Sequence, residues 1–262
     1  MNIVFMKTLS KSILLLSFFL LAGNTQAQRN VADSTIGAVW LGVQYGGNFS
    51  AGDLADRFGY LNHIGITAGY KTDRNWVFGV DGNFIFGSDS SLRVGDVFHD
   101  LRDSKGNITD VNGDIAIVRS LPRGMHANLT VGKIFPVWGP NPNSGIYVNA
   151  GVGWLIHRVR IETQDHVVPL LELDYRKGYD RLTSGLNTSQ FVGYSFMANG
   201  GAVNFYAGLY AQQGFTYNRR AIFFDQPEVP VSEDQRLDIQ YGFRVGWLIP
   251  IYKRIPNDFY FN

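Results

Sequence analysis

The chain has 262 residues, with 23 Lys and Arg against 22 Asp and Glu, no cysteine, 30 glycines and 14% aromatics. Its length sets one domain or two small ones, its net charge of +1 lacks the concentrated basic face of a nucleic-acid binder, and the missing cysteine excludes disulfide staples, thiolate metal sites, thiol nucleophiles and a lipidated cysteine anchor. Only 17% of the residues are charged, well under the usual quarter, a composition suited to a protein whose outer face meets something other than water.

Lys7 and Lys11 precede an apolar run from Ile13 to Ala22, and Thr25 and Ala27 supply the small residues of a cleavage site. The pattern predicts a secretory signal peptide over residues 1–27, cut after Ala27, with 28–262 as the mature domain. The run is far short of the roughly 20 apolar residues of a spanning helix, and no later stretch reaches that length.

Beyond it the chain alternates with period two. Ile64, Ile66, Ala68 and Tyr70 interleave with Gly65, Thr67, Gly69 and Lys71; Trp76, Phe78, Val80, Phe84 and Phe86 interleave with Gly79, Asp81 and Asn83; Leu237 to Ile249 interleaves with Asp238, Gln240, Gly242, Arg244 and Gly246. Such alternation makes strands with one apolar and one polar face. The second face is small, glycine-rich and polar, which suits a filled barrel lumen better than the Lys- and Glu-crowded face of a soluble sheet. Eight strands are expected near 36–49, 60–71, 75–87, 126–137, 145–161, 189–198, 203–217 and 236–251. Tight turns at Asp73-Arg74-Asn75, Gly139 to Asn143 and Asn199-Gly200-Gly201 alternate with long polar connections at 50–59, 88–125, 162–188 and 218–235. Short turns at one rim, long loops at the other and aromatics at both ends of the outward stripes (Trp76 and Phe86, Tyr241 and Trp247) read as an all-β, eight-stranded antiparallel up-and-down transmembrane barrel in the outer membrane. In that reading the turns and a tail at 252–262 are periplasmic and the loops extracellular. A soluble calycin-like barrel is the competitor.

Eight strands enclose only enough space for side chains to fill. Gln44, Asp81, Asn83, Asn128, Asn149, His157, Gln212, Gln240 and Arg244 are expected to point inward, with Asp81 and Arg244 as ionic partners. Asp81, Asn83, His157, Gln240 and Arg244 then form a structural polar network rather than an ion path. Some small barrels of this kind are lipid A deacylases with a His-x-Ser pair on one strand. The nearest match, His126-Ala127-Asn128, lacks a nucleophile, so no catalytic activity, cofactor or metal is expected. Asp110 to Asp114 resembles half of a calcium loop, but Ile115 and Leu121 stand where Gly and Glu are required; a hairpin turning on Asn112-Gly113 is expected instead.

The second and third loops are far longer than ordinary connections and hold Leu92, Val94, Val97, Phe98 and Leu101, then Val167, Val168, Leu170, Leu171, Leu173 and Tyr175. They either fold on one another as a cap or offer an apolar patch to a partner. With tyrosine and arginine nearby, residue types enriched at interfaces, Leu170, Leu171, Tyr175, Tyr179, Arg181, Arg219 and Arg220 are the expected partner-binding residues.

In the last strand, Gln240, Gly242, Val245 and Trp247 fit a polar, glycine, apolar, apolar pattern that resembles the signal by which outer-membrane assembly machinery recognises a barrel. The stretches Gly178 to Thr183, Gln190 to Tyr194, Asn204 to Gly208 and Phe215 to Arg220 resemble the small outer-membrane barrels of the OmpA/OmpX type, in a Bacteroidota-like subfamily. The resemblance implies a non-catalytic structural or accessory subunit of a larger outer-membrane complex, for type IX secretion or barrel assembly; a lipid-modifying enzyme or a solitary stabilising or adhesive barrel is the alternative. Expected partners are outer-membrane lipid and lipopolysaccharide, the assembly machinery during biogenesis and other outer-membrane proteins, with no nucleic acid.

Overall fold

The computed structural model describes residues 32, 34–172, 174–199 and 203–251; the expected signal peptide, the tail at 252–262, Leu173 and the Gly200-Gly201 pair of the third turn lie outside them. Ten strands follow in chain order: β1 (Ala38–Gly52), β2 (Tyr60–Lys71), β3 (Trp76–Phe86), β4 (Ile108–Thr109), β5 (Ile115–Ala116), β6 (Arg119–Phe135), β7 (Gly145–Glu162), β8 (Thr183–Met197), β9 (Asn204–Asn218) and β10 (Arg236–Ile251). Eight close into one antiparallel barrel in the order β1-β10-β9-β8-β7-β6-β3-β2, and β4 pairs with β5 as a separate hairpin. The seam runs from Val39 opposite Ile251 to Gly52 opposite Asp238, so the barrel sheet has no unpaired edge.

The faces are inverted relative to a soluble barrel. Leu41, Val43, Ile64, Ile66, Val80, Leu129, Leu209 and Phe243 point outward and are exposed, whereas Gln44, Asn48, Asp81, Asn83, Asn187 and Gln240 are buried inside. That distribution is incompatible with the calycin-like alternative, whose polar face would meet water. Close strand approach uses glycine: Gly242 stands opposite Asn48, and a Cβ there would fall 2.0 Å from the Gly47 carbonyl oxygen.

Three strands begin or end elsewhere than the alternation indicates. β6 starts at Arg119 rather than near 126, β8 at Thr183 rather than near 189, and β1 runs on to Gly52. Here the hydrogen-bonded ladder continues past the apolar belt, and outward positions such as Arg123 carry charge instead of hydrocarbon, so the apolar signal stops before the strand does. The first connection is correspondingly short, a 3-10 turn over Asp53–Asp56. The expected hairpin forms in the second loop: Ile108 and Thr109 pair with Ala116 and Ile115, Gly113 takes the positive φ the turn requires (88°), and Asp110 Oδ1 accepts from the backbone N–H of Asn112 and Asp114 at 2.8 and 3.0 Å.

Candidate functional site

The lumen is filled in three tiers. At the turn end Trp40, Val77, Ile134, Tyr147, Phe191, Tyr206, Tyr210 and Leu248 form an apolar plug. At the loop end Leu54 and Phe58, carried inward by the first connection, pack with Leu61, Ile85, Leu155 and Val159. Between them lies the polar tier. Arg244 Nη1 is 3.8 Å from Asp81 Oδ2, and its guanidinium lies 3.5 Å from the Tyr210 ring centre. Asn83 Nδ2 donates to Asp81 Oδ1 (2.8 Å) and meets His126 Nε2 (2.9 Å), while Gln44 Nε2 donates to Asn83 Oδ1 (2.8 Å). Tyr206 donates to Gln44 Oε1 at 2.5 Å, tying plug to network. His63 Nε2 and Gln240 Oε1 are 2.6 Å apart across β1, with the His63 ring centre 5.2 Å from that of His126. An ion pair this deep needs such hydrogen bonds; Asp81 has them, whereas Arg244 Nη2 has no hydrogen-bond partner among the described residues and its guanidinium rests on the Tyr210 ring instead.

Asp81, Asn83, Gln240 and Arg244 therefore share one tier, but His157 belongs to a second. Its Nε2 is 2.8 Å from Asp238 Oδ2, which also accepts from Thr216 Oγ1 at 2.5 Å. Thr216 donates to the carboxylate rather than to the histidine, so the trio lacks the geometry of a base-activated nucleophile. His126 and Asn128 both point into the lumen and are buried, out of reach of an acyl chain on the wall. A cavity of about 30 Å³ lies beside Arg244, Asp81 and Tyr206, room for a water or two. Among the described residues no cluster of His, Asp or Glu is disposed to hold a metal ion.

Above the lumen the long loops fold together. Val97, Phe98, Ile108 and Ala116 of the second loop pack with Val168, Leu171 and Tyr179 of the third and Ile161 of β7, and Phe224 of the fourth joins them. Ion pairs fasten the joints: Arg220 Nη2 to Asp180 Oδ2 at 2.6 Å, and Arg181 to Asp225, with Arg181 also stacked 4.2 Å from the Phe223 ring centre. Arg181 holds a left-handed φ of 49° at the foot of β8, a conformation rare for a bulky side chain that these contacts maintain. Arg57, from the first connection, spans the mouth: Nη1 donates to the Arg181 carbonyl (3.1 Å) and Thr183 Oγ1 (2.5 Å), and Nη2 to Asn218 Oδ1 (2.7 Å). Burial, reinforced by Arg236, lowers the Arg57 guanidinium to about 10, so it remains charged at neutral pH.

This arrangement divides the expected partner-binding residues. Leu171, Tyr179 and Arg181 are buried and serve the cap's own core and joints, and Arg220 is engaged by Asp180. Leu170 and Tyr175 do face solvent, at 50% and 59% exposure, and Arg219 is exposed while donating to Ser184 Oγ. In β10, Gln240 and Gly242 face inward and Val245 and Trp247 outward. His126, Tyr210, Asp238 and Arg57 complete the interior; the sequence offered His126 only as a failed catalytic match and Asp238 only as a member of a polar stripe, and did not single out Tyr210 or Arg57. Parity could have found the first three, each an even step from an inward neighbour; nothing local marks Arg57.

No family model and no curated protein matches the chain. Among solved structures, the chain is similar to Ail, the attachment invasion locus protein of Yersinia pestis, in complex with the heparin analogue sucrose octasulfate, at 9% identity and TM-score 0.39 over 81% of this chain and 99% of that one. It is also similar to the N-terminal β-barrel domain of Pseudomonas aeruginosa OprF (10% identity, TM-score 0.35, 80% and 96% covered) and to the outer-membrane protein OprG of the same species (9%, 0.35, 84% and 99%). At such identities the likeness is one of fold.

Proposed function

We propose that the protein is an integral outer-membrane barrel, non-catalytic, that displays a packed extracellular cap as the docking surface of a larger outer-membrane assembly, a secretion or barrel-assembly machine being the class its sequence resembles. The observation that carries this reading is the common apolar core shared by the second, third and fourth loops. With the wall apolar and the lumen filled, the cap and its rim are the recognition surface that the described residues offer, and long ordered loops on a rigid scaffold are usually functional. The outward-facing hydrocarbon belt supports the membrane location, since only a closed ladder satisfies every backbone group within lipid.

The experiment is co-purification after mild detergent extraction, comparing the native chain with a Leu170→Asp, Tyr175→Ala double variant. Both positions are exposed, so the barrel and cap core should stay intact and the variant should remain heat-modifiable in the membrane fraction. Loss of partners from the variant supports docking through the cap. Full retention moves docking to the wall, and a native chain that extracts alone favours a solitary or adhesive barrel.

A further inference from the structure

We infer that the loop-end rim of β6 and β7 binds the phosphorylated headgroup of an acylated glycolipid of the lipid A class. The inference rests on the membrane reading above and locates one lipid on that wall. Arg123, Arg158 and Arg160 line one outward groove of about 250 Å³ with Phe84, Met125 and Ile156. The three apolar residues are in register across β3, β6 and β7; Arg123 lies two positions before Met125 and Arg158 two beyond Ile156, so both stand one step above them on the same face. Arg219 reaches the same patch from beyond β9, its Nε donating at 2.8 Å to Ser184 Oγ, and Ser184 is the cross-strand partner of Ile156.

Arg123 and Arg158 are direct cross-strand partners. Like charges in that relation weaken a sheet, and the nearby Glu162 carboxylate acts on Arg123 only through space while Arg160 crowds the same charge. Glu162 is engaged by Arg160 at 2.9 Å, Arg123 donates to the carbonyls of Gly87 and Pro122, and Arg158 has no hydrogen bond or ion pair with a described residue. An anion seated between the two guanidinium forks removes the repulsion and accepts paired hydrogen bonds from planar donors, the geometry that suits arginine to phosphate. The apolar floor beneath takes the first segment of an acyl chain. Nor is the cluster a general feature of the rim: the corresponding flank of β1, β2 and β10 carries Phe49 packed edge-on to Tyr60 and tilted against Tyr241, with ring centres 5.2 and 6.1 Å apart.

The test uses the full chain in neutral detergent, with heat-modifiable migration and insertion into vesicles scored first, since these report on the membrane reading independently. Thermal stability is then titrated with lipid A, with lipid A stripped of its phosphates, with phosphatidylglycerol and with inorganic phosphate. Lipid A should raise the melting temperature of the native chain, and the three other additives should do so much less. Arg158→Gln should weaken the lipid A response about tenfold in Kd, the loss of one charge-assisted hydrogen bond, while its melting temperature without lipid equals or exceeds the native value because the opposed charge is gone. Lys133→Gln, at the opposite end of the wall, should respond as the native chain does. The inference is overturned if Arg158→Gln keeps the full lipid A response, if phosphatidylglycerol acts as well as lipid A, or if inorganic phosphate alone reproduces the effect.

Discussion

Neighbouring residues on one strand answer to different solvents. Phe243 is exposed on the wall, so Phe243→Arg places a charge in hydrocarbon at roughly 2–4 kcal/mol near mid-span; unfolding titrations in vesicles should show that loss. Gly242→Arg should fail through sterics instead, because even a Cβ there strikes the Gly47 backbone across the β1–β10 seam, and gel-shift assays should report an unclosed species. Within the lumen, Asp81→Asn leaves Arg244 buried against Tyr210 without its carboxylate, at roughly 3–5 kcal/mol for a broken buried pair. Adding Arg244→Met to Asp81→Asn should recover much of that, and a double-mutant cycle on unfolding free energy measures the coupling. A cycle with no coupling would mean that the hydrogen bonds Asp81 accepts from Asn83 Nδ2 (2.8 Å) and Asn128 Nδ2 (3.3 Å), not the ion pair, hold it in place.

Among elements, the cap and the barrel should separate energetically, because their apolar clusters are distinct. Asp225→Ala leaves Arg181 unpaired at a buried joint, so the fourth loop should become protease-sensitive while the barrel keeps its heat-modifiable band. The second loop carries a weaker pH dependence. The hydrogen bond from Arg102 holds the Asp96 carboxyl below its ordinary value of 3.8. A lowered folded-state pKa means the pair's contribution is complete above that ordinary value and is lost as the pH falls beneath it. Limited proteolysis of residues 87–118 should therefore accelerate only in acid, and modestly, because both partners are about 40% exposed. How much of this was legible in the sequence varies with the element. Alternation located all eight barrel strands because lipid and lumen impose opposite polarities on successive residues, and Asn112-Gly113 disclosed its own hairpin. The first turn of β6 was hidden because Arg119 and Arg123 project beyond the belt. In the cap nothing is periodic: Leu170 is half exposed and Leu171 fully buried, a distinction set by tertiary packing of three loops that no local pattern encodes.

For the whole molecule, the stacking of plug, polar tier and mouth implies a closed conduit. Planar bilayers containing the purified chain should show no unitary conductance steps, because Trp40, Tyr147 and Tyr206 fill one end and Leu54 and Phe58 the other. Discrete openings would mean that the first connection, held over the mouth by Arg57, and the aromatic plug at the other end both move aside. The inward Asp81–Arg244 pair was readable from parity and charge together, whereas Arg57 was not, since a loop residue reveals its partners only after strands distant in sequence have met.

The β1–β10 seam also dictates when the molecule can come into being. Val39 must find Ile251 and Gly52 must find Asp238, contacts between the first and last strands that no partial chain can make. Until β10 has emerged, β1 offers an open row of N–H and C=O groups that neither lipid nor a neighbour should be allowed to template. Contacts of such sequence separation fold slowly, because the loop-closure entropy is lost before the ladder rewards it. Closure is thus all-or-none with respect to β10, and a chain truncated within it should leave β1 unpaired rather than form a shorter barrel.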